Sequence, residues 1–164
     1  MIWEEFKKAA PEMAALGEER FNRSGMIMLG TLRKDGWPRI SPVEFLIVDG
    51  HFLMGMIPQS RKAQDLLRDP RCAIHNTVTQ KDGAEGEIKL YGRAIDIRDL
   101  ELRKRYCDEL FAKIGWQPEE PHFHLFSIDI ENASFNETRD GELIAKQWTP
   151  NEGVRIVRRW KPDV

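Results

Sequence analysis

Three consecutive residues, Ser60, Arg61 and Lys62, put a hydroxyl, a guanidinium and an ammonium side by side. They sit in "GMIPQSRKAQDLLRDPR", residues 55–71, where an apolar run gives way to a short amphipathic one that stops at "DP". This layout predicts a helix over 60–68 with Ser60 as its N-cap. The first turn of a helix carries backbone N–H groups without intrahelical acceptors, at the positive end of the dipole. An anion there meets directed donors; Arg61 can fork onto two of its oxygens, and Lys62 adds a compact charge. The chemistry is that of a phosphate clamp. The same three residues also read as a capped surface helix with two solvated cations, and their spacing alone leaves both readings open.

Other reactive side chains are sparser. His122 and His124 form an HxH that on a strand faces one way, but two ligands with no third histidine or carboxylate nearby make a weak metal site. No metal is expected. His51 and His75 stand alone in apolar stretches, and Cys72 and Cys107 read as core thiols. Neither a Ser-His-Asp arrangement nor a P-loop occurs.

The elements that must hold the clamp follow from periodicity and turns. Phe6, Ala10, Met13 and Phe21, with Leu16, recur at near-helical spacing, so 3–22 is expected to be a helical arm that Pro11 divides. Three antiparallel strands are expected near 25–33, 37–48 and 51–56, turned by "KDG" at 34–36 and "DG" at 49–50. Further strands are expected at 71–78 and 87–97, then a helix with Leu102, Tyr106, Leu110 and Phe111 on one face. "FHLFSIDI", "NASFNET", "GELIAKQW" and "VRIVRRW" read as closing strands, with "RDG" at 139–141 as a turn. Many short strands and few helices point to a closed barrel rather than an open sheet. The helix "LELRKRYCDELFAKIG" reads either as a cover for one barrel end or as a wall of a substrate pocket.

The 164 residues fit one domain over 1–164. A net charge of −2 argues against nucleic-acid binding. Two distant cysteines fit a reducing, cytoplasmic setting. The amphipathic, acidic start lacks the pattern of a signal peptide, and no window approaches the roughly 20 apolar residues of a membrane span.

Three patterns together resemble the FMN-binding split barrel of the pyridoxamine 5'-phosphate oxidase family: "TLRKDGWPRISPVEF" (31–45), "GMIPQSRKAQDLLRDPR" (55–71) and "EGEIKLYGRAIDI" (85–97). The likeness spans about residues 20–100, with an echo at "KQWTPNEGVR" (146–155). It implies a mainly β (α+β) fold, an antiparallel split β-barrel of six or more strands with flanking helices. It further implies a homodimer with flavin sites at the subunit interface, and FMN-dependent oxidoreductase chemistry on a small organic substrate. Carried onto this sequence, Ser60, Arg61 and Lys62 would grip the FMN phosphate. Arg39, Ser41 and Val43, on one face of the second strand, would run beside the ribityl chain and ring, and Gly55 and Met56 would lie against the flavin. Trp148 falls where relatives place an aromatic near the ring, though it reads equally as a barrel-closing core residue. Glu87 replaces a glutamine that touches the cofactor in the oxidases; as a carboxylate it is expected to pair with Arg39 or Lys62, or to lie outside the site. A deazaflavin coenzyme is the alternative within the same fold. The alternative of another class is a non-catalytic flavin or tetrapyrrole carrier or sensor. The C-terminal stretch lacks the glycine-rich basic pattern with which the true oxidases hold their substrate phosphate, so a different substrate is expected.

Overall fold

The computed structural model describes residues 1–161. Two helices open the chain, α1 (Trp3–Ala9) and α2 (Pro11–Ser24). Pro11 sits at the first position of α2, where its missing N–H costs nothing. Gly25, with φ of 67°, ends that helix in the left-handed region. Trp3, Phe6, Met13, Ala14 and Phe21 are all buried, so the arm forms part of the barrel's filling rather than an appendage.

The strands are β1 (Met26–Leu32), β2 (Pro38–Glu44), β3 (Leu46–Val48), β4 (His51–Met56), β5 (Arg71–Asn76) and β6 (Glu87–Asp96), then β7 (His124–Arg139), β8 (Glu142–Thr149) and β9 (Gly153–Trp160). Helix α3 (Arg61–Arg68) precedes β5, and α4 (Leu100–Ile114) precedes β7. All pairings are antiparallel. Asp49–Gly50 and Asp140–Gly141 both carry positive φ, the geometry of two-residue hairpin turns, as their sequence predicts.

The strand order is β2-β1-β5-β6-β7-β4-β3, with β8 and β9 branching from β7. Its two ends, β2 and β3, are neighbours in the chain, separated only by Phe45. The sheet therefore curls back on the same stretch of backbone, but the ladder does not close. The expectation of a closed barrel is corrected to an antiparallel barrel split along this line. The cause lies at Phe45, whose ring turns into the core and stacks on Phe52 with centroids 4.6 Å apart, while Phe21 meets both rings edge-on. The one strand expected over 37–48 is thereby broken in two. The two strands expected within 123–138 are instead one, the 16-residue β7. A bulge beside Tyr91 and Gly92 bends β7 without ending it. A Cβ on Gly92 would stand 2.0 Å from the Asp129 carbonyl oxygen, so only glycine fits there.

A second, smaller core lies under α4, where Leu102, Tyr106 and Leu110 pack on Leu53, Phe123 and Leu125. Phe111, expected on that face, is exposed, and Cys107 is buried in its stead. Within α4, Arg103 forks onto Glu120 at 2.7 and 2.9 Å and lies over the Phe123 ring, fastening the 115–123 loop to the helix. At the far edge, β9 pairs, among the described residues, only with β8, and its residues from Val154 to Trp160 are exposed. Among the described residues, no helix is long and apolar enough to cross a membrane.

Candidate cofactor site

Helix α3 starts as its sequence requires. Ser60 is extended, and its hydroxyl accepts from the Ala63 N–H at 3.3 Å. The Gln64 side chain donates to the Pro58 carbonyl at 2.8 Å and pins the 57–60 segment over the first turn. Ala63, Asp65 and Leu66 form the buried side, while Arg61 faces out. An open cleft of about 600 Å3 lies between this helix start and the β1–β2 turn. Arg33, Lys34, Arg39 and Arg61 line it, with Asp35 and Asp65 as its carboxylates.

Both carboxylates are already engaged. Asp35 takes Arg33 at 2.6 Å. Asp65, almost fully buried, accepts from Arg39 Nε at 2.7 Å and from the Thr31 hydroxyl at 3.0 Å, with Arg68 at 3.4 Å. Burial pushes the Asp65 carboxyl up, but the hydrogen bonds from Arg39 and Thr31 and the charge of Arg39 outweigh it and hold the group below its ordinary value. Arg39, which lines the cleft, is thus held through Nε, and its terminal nitrogens donate no hydrogen bond among the described residues. Lys34, Arg61 and Lys62 have no ion-pair partner among the described residues. A phosphate in this cleft meets unpaired cations and the free amides of the first turn. The donor set fits the phosphate of a flavin mononucleotide.

A second cleft, of about 470 Å3, opens at the other end of 57–60, between β4 and α4. Gly55, Met56 and Ile57 line it from β4, Tyr106 and Leu110 from α4, and Trp116, Glu119 and His122 from the following loop. Four residue steps separate Ile57 from Arg61, at most about 14 Å of extended chain. The two clefts are close neighbours. A Cβ on Gly55 would stand 2.4 Å from the Tyr106 hydroxyl, so the side-chain face of this glycine is filled by tyrosine and not left to a ligand. What remains open is backbone. Strand β3 pairs only with His51–Leu53, so Met54–Met56 keep one unpaired edge facing the split, as β2 does. Burial, then Cys107 and Glu44, push the Tyr106 phenol up to about 12, and it stays a neutral hydroxyl.

The ten residues singled out from the sequence divide accordingly. Arg39 and Arg61 line the first cleft, with Ser60 and Lys62 at the same helix start. Gly55 and Met56 line the second, although the Met56 side chain points into the main core. Ser41 is half-buried on the Arg39 face, and Val43, next on that face, belongs to the core. Trp148 is a core residue, its ring 4.9 Å from Phe6. Glu87 pairs with neither Arg39 nor Lys62. It accepts from Lys89 at 2.6 Å and Asn136 at 2.8 Å, with His75 at 3.1 Å. Burial raises its pKa, yet Asn136 and Lys89 more than offset this and bring it to about 2. Burial lifts the Cys72 thiol to about 12, and it is inert. His122 borders the second cleft; His124 lies beside Phe126.

Sequence reasoning passed over Asp65, Arg33 and Lys34. The signal for Asp65 was its place between Ala63 and Leu66 on the buried side of an otherwise charged helix.

Residues 14–137 match the family model described as Pyridoxamine 5'-phosphate oxidase. No curated protein sequence matches significantly. Among solved structures, PhzG from Burkholderia lata 383, in complex with tetrahydrophenazine-1-carboxylic acid, is similar with a TM-score of 0.66 at 12% identity, over 94% of this chain and 93% of that one. A protein related to general stress protein 26, of the pyridoxinephosphate oxidase family, from Clostridium acetobutylicum gives 0.64 at 16% identity, over 85% and 97%. HutZ, the heme storage protein of Vibrio cholerae, gives 0.58 at 20% identity, over 75% and 90%. At these identities the likeness is one of fold.

Proposed function

The chain belongs to the pyridoxamine 5'-phosphate oxidase family, and from that premise we propose that it holds FMN and acts as an FMN-dependent oxidoreductase on a small organic substrate. One observation carries the reading: the cleft at the α3 start gathers Arg39, Arg61 and Lys34, and the two carboxylates that line it, Asp35 and Asp65, already have partners. In this reading Arg61, Lys62 and the first-turn amides take the phosphate. Asp65 orients Arg39 toward it, and Ser60 shapes the turn that presents the amides. Ser41 and the open backbone edges of β2 and Met54–Met56 offer donors and acceptors to the rest of the cofactor. Bound FMN supplies the redox centre, and the protein positions it and sets the field around it.

A homodimer belongs to the same proposal. Ile40, Gly30, Ala73 and Tyr91 lie in register across β2, β1, β5 and β6 on the outer face. This row puts two small residues between two exposed large ones, with Ile40 69% accessible, a shape suited to burial against a second copy.

The test begins with the spectrum of the purified protein and its titration with FMN and riboflavin. FMN is expected to bind far more tightly than riboflavin, with the two-band absorption of an oxidised flavin, and the loaded protein is expected to oxidise NADH or NADPH under air. Equal affinity for both compounds, or the intense near-ultraviolet band of a bound tetrapyrrole, counts against the reading. A single-band spectrum ending further to the blue identifies deazaflavin instead.

A further inference from the structure

We propose that the cleft between β4 and α4 selects a flat aromatic ligand bearing a protonated amine, and discriminates against carboxylates and phosphates. Glu44 and Glu119 line it together with His122, and neither Lys nor Arg does. Neither glutamate has an ion-pair partner among the described residues, whereas the adjacent Glu120 is taken by Arg103. The cations nearby are engaged elsewhere, Arg103 with Glu120 and Lys113 over the Phe45 ring at 6.0 Å.

The rest of the wall is aromatic and apolar. Tyr106 and Phe123 stack with centroids 6.1 Å apart, Ile57 and Leu110 add apolar surface, and Trp116 stands exposed in the loop that forms one side. A planar ring entering here exchanges water for aromatic contact. An ammonium on that ring is attracted by two carboxylates; an anionic group loses hydration and meets like charge. The Tyr106 hydroxyl, kept protonated by its burial, adds no charge of its own. Opposite charge preference in two neighbouring clefts lets one end of the site hold a phosphate and the other refuse one.

That this ligand is the substrate rests on the flavin reading, which sets the open backbone edge of Met54–Met56, leading into this cleft, against the cofactor. The charge preference of the cleft does not depend on it. The experiment compares phenethylamine with 3-phenylpropionate, matched in ring and reach and opposite in charge, by isothermal titration into the full-length protein near pH 7. FMN binding is titrated separately. The amine is expected to bind at least about tenfold more tightly than the acid, a difference of about 1.4 kcal/mol. Glu44→Gln with Glu119→Gln is expected to remove most of that ratio, and Trp116→Ala to weaken both probes alike. All three side chains are exposed, so melting should be unchanged and the variants comparable. Equal binding of the two probes, no binding of either, or a ratio untouched by the double glutamine variant overturns the inference. If the amine preference holds while FMN fails to bind, only the flavin reading falls; if FMN binds and the preference is missing, only this one does.

Discussion

The two clefts at either end of 57–60 are made from the same local backbone and carry opposite unpaired charge. At the α3 end the carboxylates are satisfied and cations are left over; at the α4 end the cations are committed elsewhere and carboxylates are left over. Composition hides this, since the whole chain sums to −2. Which charges lack partners, rather than how many there are, tells what each cleft can attract.

The largest expected effect strikes the cationic side alone. Replacing both Arg61 and Lys62 by alanine removes two charge-assisted contacts of about 1.5–3 kcal/mol each, so FMN should bind at least a hundredfold more weakly, roughly. Riboflavin affinity and the melting of the apo-protein should hardly move, because neither side chain has an ion-pair partner among the described residues. Fluorescence titration beside thermal melting reads all three, and an FMN affinity equal to wild type dissolves the contrast between the clefts.

Asp65→Asn comes next and joins stability to binding. The isosteric amide loses the charged partner of Arg39, which should cost about 2 kcal/mol in denaturant unfolding and loosen FMN as well. Since the folded pKa of Asp65 lies below its ordinary 3.8, its contribution is complete above that value and fades as pH falls. The variant's acid limb should accordingly be flatter than that of wild type. An unaltered limb would mean that Asp65 is not what holds Arg39.

On the acidic side, Gly55→Ala drives a methyl into the Tyr106 hydroxyl and should cost about 1–2 kcal/mol. Adding Tyr106→Phe should recover most of the loss, a coupling that a double-mutant cycle measures. No recovery would place the strain elsewhere.

Glu87→Gln sharpens the comparison from outside both clefts and has the smallest effect at neutral pH. Its carboxylate, held at about 2 against an ordinary 4.5, stabilises the fold above pH 4.5 and ceases to as pH drops toward 2. Melting across that window should be less pH-sensitive in the variant, and an identical profile would show that Lys89 and Asn136 do not hold it.

What the sequence disclosed depended on how local its cause was. The helix over 60–68, its serine cap and the two Asp-Gly turns are set by a few adjacent residues, and they stand where expected. The alternation that turns Arg39, Ser41 and Val43 to one side of β2 is equally local. The burial of Asp65 was not, because its partners Thr31 and Arg39 come from strands 34 and 26 residues away. Glu87 took Asn136, 49 residues on, instead of the cleft cations, and Trp148 went to Phe6. The closed ladder failed for a similar reason: Phe45 breaks a run that reads as one strand, and only the aromatic cluster beneath explains why it turns inward.

Strand β9 has a bearing on how the protein behaves in concentrated solution. Its outer edge offers unused backbone donors and acceptors, flanked by the accessible side chains of Val154, Ile156, Val157 and Trp160. Such an edge is a template for stacking one molecule on the next. Arg155, Arg158 and Arg159 are interspersed along the same eight residues; Glu152 and Glu142 pair with Arg155 and Arg159, which leaves Arg158 without an ion-pair partner among the described residues, to meet its like when two copies align edge to edge. Arg158 acts as a gatekeeper against fibril-like growth, and exchanging it for a neutral residue should make concentrated protein cloud faster on standing.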